Sequence, residues 1–365
     1  MSKVFVQWAI GLLASFSITS ALQAAAEPET VGVDTPDGLR LAGTWYRGDG
    51  GKDSDCVLLL HNYGAKYSSN TPEWENLALA LQKEGFSVLK FDLRGHGNAR
   101  NNPKTVNVPK DFAMWKFNEK AGVGRLHPDN PPKSLVLNVD KFQPSYYPYL
   151  INDIAAGRYF LDKRNDQGQC NSGRINVICD RQICPLAMYW LAIEFTRNGK
   201  YKQNINDFAA PKHDAGTDIM SMICLSYQEH GTLPWTFINK QANGDMMAGI
   251  KNKVSVLLVD NEKADKAGGV GGSNEWFKRW GILGKKSDTD IRKYVMAVPK
   301  SESLSGIDLL SAKKQLGVET EIIEFLKKSK TPAKGKVALN GNDWTTRNTG
   351  IETLMPVPLE DYGIK

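Results

Sequence analysis

The chain has 365 residues, 41% hydrophobic and 24% charged, which is enough apolar mass for one large or two small globular domains with a substantial core. Its 46 basic and 40 acidic residues leave a formal net charge of +6. The basic residues gather only into short runs such as Lys285-Lys286 and Lys327-Lys328, a solvated surface with no nucleic-acid or membrane footprint.

Residues 1–26 read as an export signal. Lys3 supplies a small positive start, Val4 to Phe16 is apolar apart from Gln7, and Ala24-Ala25-Ala26 is a small-residue cleavage site before Glu27. The apolar part is short for a membrane span of about 20 residues. Removal of this segment and a periplasmic or extracellular location are therefore expected, with no stable membrane span left behind. The body of the protein would then be one domain over 27–330, with 101–147 inserted in it and 331–365 as a tail.

The elements follow in order. Leu39 to Tyr46 alternates and Gly48-Asp-Gly-Gly51 turns, which predicts an antiparallel opening hairpin within Glu27 to Asp55. Cys56-Val-Leu-Leu-Leu60 is a continuous apolar run, as expected of a strand covered on both faces. It ends in His61-Asn-Tyr-Gly64. A helix then starts with Thr71 as cap and Pro72 at its first position. Trp74, Leu77, Ala78 and Leu81 give it one buried stripe, and Gly85 stops it. Phe86 to Asp92 is the next strand and leads into Asp92-Leu-Arg-Gly-His-Gly97. Strand, helix and strand in this order predict a parallel pair.

Asn101 to Tyr147 breaks the rhythm. It is rich in Pro, Asn and Lys, holds Trp115 and Phe117, and reads as an irregular insertion, a candidate lid over the carboxyl edge of the sheet. Tyr149 to Lys163 has helical spacing. Ile175 to Ile178 predicts a strand, and Pro185 to Phe195 a helix ended by Asn198-Gly199. Asp218 to Ser226 and Val254 to Asp260 are further buried strands. A helix over Asn274 to Trp280, a strand over Arg292 to Val298 and a helix over Glu319 to Lys328 complete the pattern. From Thr331 onward the chain is rich in Pro, Gly and Asn without period, a tail that wraps the domain or stays mobile.

Three motifs resemble the α/β-hydrolase superfamily. His61-Asn-Tyr-Gly64 after a buried strand resembles the loop that supplies one oxyanion donor. Asp92-Leu-Arg-Gly-His-Gly97 is similar to the Asp-x-Arg-Gly-x-Gly turn that follows the next strand. Val256 to Asp265 resembles the late strand whose loop carries the acid of the catalytic triad. The resemblance implies a mostly parallel sheet flanked by helices, and an insertion after the Asp92 strand. It also implies that the strands after Cys56 and Cys170 are neighbours, so that Cys56–Cys170 is the pair if one disulfide forms. Of the other cysteines, Cys179 and Cys224 are expected as buried thiols. The odd number of five leaves at least one unpaired, and their spacings do not fit zinc.

The same resemblance sets Cys179-Asp-Arg-Gln-Ile183 against the Gly-x-Ser-x-Gly nucleophile turn, with Arg181 in place of serine. Arginine stays protonated and cannot attack a carbonyl, and Ile183 is expected to crowd a strained turn. The loop from Pro299 to Leu310, where the histidine belongs, contains none. Ser303 and Ser305 there read as turn formers. The acid position keeps Asp265 or Glu262, with no histidine to orient.

The expected function is therefore that of an exported hydrolase-fold protein without a working Ser-His-Asp triad. It would bind a small molecule or serve a structural role, with His61, Asn62, Tyr63, Arg181 and Gln182 around the old cleft. Arg181 would pair with a carboxylate such as Asp265 or hold an anionic ligand. The alternative is an active ester or amide hydrolase with Cys179, Asp180 or Cys184 as nucleophile and His230 as base. His61 and His96 are expected to brace loops rather than shuttle protons. A third reading is a surface-associated protein that interacts through the tail from Thr331. No phosphate loop, dinucleotide fingerprint or metal-ligand spacing occurs, so no cofactor and no metal are implied.

Overall fold

The computed structural model describes residues 26–36, 39–97, 137–201, 215–233, 249–250, 253–261, 263, 293–301, 303–330, 341–347, 349, 357 and 359. The expected helix over Asn274 to Trp280, most of the insertion, residues 1–25 and Asp265 lie outside them. Among the described residues no helix is long and apolar enough to cross a membrane.

One eight-stranded sheet runs in the order β1-β2-β4-β3-β5-β6-β7-β8. Its strands are β1 (Glu29–Asp34), β2 (Arg40–Tyr46), β3 (Asp55–Leu60), β4 (Ser87–Phe91), β5 (Asn171–Asp180), β6 (Ile219–Leu225), β7 (Ser255–Asn261) and β8 (Lys293–Val298). β2 is antiparallel to both its neighbours, and every other pair is parallel. This mixed, mostly parallel sheet with flanking helices is the α/β-hydrolase fold that the motifs implied.

The strand pattern explains how both faces are covered. In β3, Cys56, Leu58 and Leu60 enter one core and Val57 and Leu59 the other, because successive side chains of a strand point to opposite faces. Helix α1 (Pro72–Lys83) and helix α4 (Val318–Ser329) cover the second face. Helices α2 (Ile151–Asp166) and α3 (Ile183–Tyr201) cover the first. The Thr71 hydroxyl accepts from Trp74 N–H at 3.5 Å to cap α1, and Gly85 leaves it at φ 83°. A helix this short is marginal alone. Burying Trp74, Leu77 and Leu81 to 1% exposure or less stabilises it by roughly 1.5–3 kcal/mol per side chain, which outweighs the intrinsic deficit.

Two boundaries differ from the sequence pattern. β5 extends from Asn171 to Asp180 rather than from Ile175 to Ile178, so Cys179 and Asp180 lie in the strand. Its polar start pairs with β3 at Asp55↔Asn171, and Ser172 is held by Asn165 and Asp162. Helix α3 begins at Ile183 and continues through Asn198 and Gly199 to Tyr201. A single helical glycine costs only about 1 kcal/mol, too little to end a helix of 19 residues.

Below the sheet, Arg158 of α2 joins three elements. Its guanidinium donates to Glu194 of α3 at 3.0 Å and to Asp218, just before β6, at 2.5 Å. Tail residues within 341–349 bind at this end as well. Gly341 N–H donates to Thr217 O, Asn342 N–H to Gly173 O, Trp344 Nε1 to Asn165 O, and Arg347 to Asp218. The Thr349 hydroxyl donates to Asp166 at 2.7 Å. Farther along, Val357 N–H donates to Asn152 Oδ1 at 2.8 Å, at the start of α2 and so toward the opposite, carboxyl edge of the parallel strands.

Candidate functional site

At that carboxyl edge, β5 ends at Asp180 and α3 starts at Ile183. Only Arg181 and Gln182 make the turn. Arg181 has φ 45°, the left-handed region that costs a non-glycine residue about 1–2 kcal/mol. Hydrogen bonds hold it there: Arg181 N–H donates to Leu225 O at 2.9 Å, and Arg181 O accepts from Cys184 N–H at 3.0 Å. Ile183 does not relax the bend as its β-branching suggested. It already lies in the helix, fully buried, and the strain falls on Arg181.

The Arg181 guanidinium meets the carboxylate beside it in the chain. Its Nε donates to Asp180 Oδ1 at 3.0 Å and its Nη2 to Oδ2 at 3.3 Å. Nη1 lies 3.5 Å from Ser305 Oγ, and the group sits over the Tyr67 ring at 4.9 Å. Among the described residues its acid partner is the adjacent Asp180, because the left-handed bend brings the two side chains together. Asp265 and Glu262 lie outside the described residues. Burial pushes the Asp180 carboxyl up to about 6 even against the pull of Arg181.

The loop after β8 closes on this pair. Gly306 has φ 59°, and a Cβ there would stand 2.0 Å from Asp180 Oδ1 and 2.5 Å from Arg181 Nε. Only glycine fits. Its N–H donates to Ser226 Oγ at 2.8 Å, and that hydroxyl donates to Asp260 Oδ1 at 3.1 Å. Ser305 stands in the loop where the histidine was sought, as the residue before this turn.

Asn62 was singled out as a binding residue, and its carboxamide has a defined task. Asn62 Oδ1 accepts from Tyr63 N–H at 2.8 Å and from Gln182 N–H at 3.0 Å. Two backbone donors from separate loops thus converge on one oxygen. They are the N–H groups of the residue after the bend and of the β3–α1 loop, the places from which this fold draws its oxyanion donors. Asn62 is 2% exposed.

His61 and His96 brace the loops, as expected. His61 Nε2 accepts from Leu93 N–H at 3.0 Å, and His96 Nε2 accepts from Gly64 N–H at 3.1 Å. Both accept at that nitrogen, so both are neutral. Burial lowers the pKa of each. His61, at 1% exposure, is too deep to touch a ligand and leaves the binding set. Asp92 accepts from the hydroxyls of Ser68 and Ser69 at 2.9 Å. Arg94 pairs with Asp153 at 2.6 Å, so the Asp92 to Gly97 motif is architectural.

His230 stands against this site. Its ring stacks on Tyr147 at 3.7 Å and 12°, and Nδ1 lies 2.8 Å from Thr232 Oγ1. Burial lowers it to about 4, so it is neutral at pH 7. No hydrogen bond links it to Cys179, Asp180 or Cys184. Tyr63 meets the rings of Tyr147, His230 and His96 edge-on at 5.2, 5.3 and 5.6 Å, and the Tyr147 hydroxyl donates to Gln182 O. Tyr147 is fully buried and supports the turn.

All five cysteines are buried and free. Cys56 and Cys170 form no disulfide, and the Cys170 thiol donates to Leu161 O at 3.6 Å. Cys179 donates to Ile223 O and Cys184 to Cys179 O, each at 3.3 Å. Burial pushes both thiols well above their ordinary range, which disfavours the nucleophilic thiolate.

No family model matches the sequence, and no curated protein does. Solved structures are similar in fold. An esterase from Pyrococcus furiosus has 16% identity over 83% of this chain and 91% of its own, with a TM-score of 0.45. A dienelactone hydrolase from Anabaena variabilis has 11% identity over 83% and 97%, with a TM-score of 0.45. The esterase Est22 has 13% identity over 83% and 81%, with a TM-score of 0.49.

Proposed function

We propose that this chain is an exported binding protein built on the α/β-hydrolase fold, which holds a small molecule at the carboxyl edge of its sheet without hydrolysing it. The observation that carries the reading is the residue at the left-handed bend. Arg181 is a cation paired with Asp180, in the place from which a nucleophile would act. Asn62 supports the reading independently. Its oxygen fills the two-donor pocket that would otherwise stabilise a tetrahedral oxyanion, so the ground state of the protein already contains what a transition state would need to displace. The groups left to meet a ligand are Tyr63, Arg181 and Gln182, all partly exposed. They offer an aromatic face, a guanidinium edge and a carboxamide. Export rests on the pattern of residues 1–26.

The test is hydrolysis of a panel of activated short-chain esters by the purified protein, beside Arg181→Ala, Cys179→Ala and His230→Ala. The expected result is no turnover above buffer in any of them. Turnover that survives Arg181→Ala but is lost in Cys179→Ala or His230→Ala overturns the proposal in favour of a Cys or Asp nucleophile served by His230.

A further inference from the structure

Cys179, Cys184 and Cys224 come from three elements, and the fold brings them together. Cys179 of β5 is the register partner of Cys224 in β6, and both side chains enter the same core. Cys184 lies on the first turn of α3, and its thiol turns back to Cys179 O. The three sulfurs lie within 4.8 Å of one another, with Cys179 and Cys224 at 3.7 Å. All three residues are 0% exposed. A metal–thiolate bond of about 2.3 Å sets sulfurs sharing one ion about 3.8–4.0 Å apart, so small side-chain movements suffice to close them on a single ion.

The donor set selects the ion. Among the described residues no His, Asp or Glu joins the three sulfurs, and the surroundings are core side chains such as Met222, Tyr227 and Leu186. Structural zinc takes four ligands, whereas soft thiolates favour monovalent copper, which is satisfied by three. Cys184 lies in the first turn of α3, where the helix dipole favours negative charge.

We propose that Cys179, Cys184 and Cys224 form a trigonal site for one Cu(I) ion beneath the Arg181 turn. Binding forms three copper–sulfur bonds and releases the three thiol protons to solvent. Copper enters and remains as Cu(I), so no oxidant or reductant is consumed. The ion would tie β5, β6 and α3 together and so stiffen the bend itself. This inference does not depend on the binding role proposed above.

The test uses the reduced full chain, exchanged against Cu(I) held by bathocuproine disulfonate, followed by metal analysis and X-ray absorption at the copper edge. The expected result is one copper per chain with three sulfur neighbours and no nitrogen or oxygen. Cys184→Ala and Cys224→Ser should each lower retained copper at least about 10-fold, while Cys56→Ser and Cys170→Ser keep it, with circular dichroism checking the fold of each. The wild-type spectrum stands even if a variant fails to fold. Folded wild type that retains no copper, copper with nitrogen or oxygen ligands, copper kept by folded Cys224→Ser, or preferential retention of zinc each overturns the site. So does a Cys179–Cys224 disulfide that binds no copper once reduced.

Discussion

Arg181→Ala should destabilise the protein in a way that depends strongly on pH. The side chain is 14% exposed and its partner Asp180 1%, so removing the guanidinium leaves a buried carboxylate without its counter-charge. Breaking a buried pair typically costs about 3–5 kcal/mol, and the residual exposure of Arg181 places this case near about 3 kcal/mol at pH 8. The pH dependence follows from Asp180. Its folded pKa is raised to about 6 above an unfolded value of about 3.9. Between these values the folded protein binds the proton more tightly than the unfolded chain. Its contribution to stability is therefore present below about pH 4 and is lost as pH rises toward 6, by roughly 3 kcal/mol in all. Removing Arg181 takes away the pull toward the charged form, so the loss continues to higher pH. At pH 4.5 the carboxyl is already protonated in the folded state, and the same substitution should cost only about 1 kcal/mol. Urea unfolding at the two pH values measures this difference of about 2 kcal/mol. The double variant Arg181→Ala with Asp180→Asn should flatten it. Equal losses at both pH values, or a pH dependence that persists in the double variant, would refute the reasoning.

Other substitutions bear on neighbouring parts of the site. Gly306→Ala meets both a left-handed φ and the Asp180 and Arg181 side chains, so it should cost at least about 2 kcal/mol, read as a lowered Tm. Asn62→Gly uncovers the N–H groups of Tyr63 and Gln182; it should cost about 1–3 kcal/mol in urea unfolding and produce no ester turnover, alone or with Arg181→Ser, because the loop after β8 still lacks a histidine. Asp153→Ala takes the carboxylate from the buried Arg94–Asp153 pair and should cost about 3–5 kcal/mol, which thermal unfolding would detect. Arg347→Ala removes one of the tail's contacts with Asp218 but leaves Asn342 and Arg158 in place, so the loss should be nearer about 1 kcal/mol.

The fold was legible because its signals are local. Thr71-Pro72 and Gly85 bracket α1, and Cys56 to Leu60 is apolar on both faces because both faces are covered. The Asp92 to Gly97 turn is readable from its two glycines, both of which adopt positive φ. The site was less legible because its contacts join distant residues. Asn62 reaches Gln182 across 120 positions, and only the closeness of the two loops turns a loop asparagine into a cap. The cysteine cluster depends on the register of β5 against β6, which no spacing encodes. The start of β5 was missed because Asn171, Ser172 and Gly173 carry no apolar pattern; their burial is compensated by hydrogen bonds to Asn165, Asp162 and Asn342. His61 was misplaced among ligand contacts for the opposite reason: its motif identifies the loop, while its depth follows only from the fold.

The most direct test of a cleft that binds without cleaving is the intact mass of the protein after exposure to an activated ester in excess, with turnover followed in the same sample. The account predicts an unchanged mass and no released alcohol above buffer. An acyl adduct mapped to Cys179, Asp180 or Cys184, forming and decaying as product appears, would contradict it.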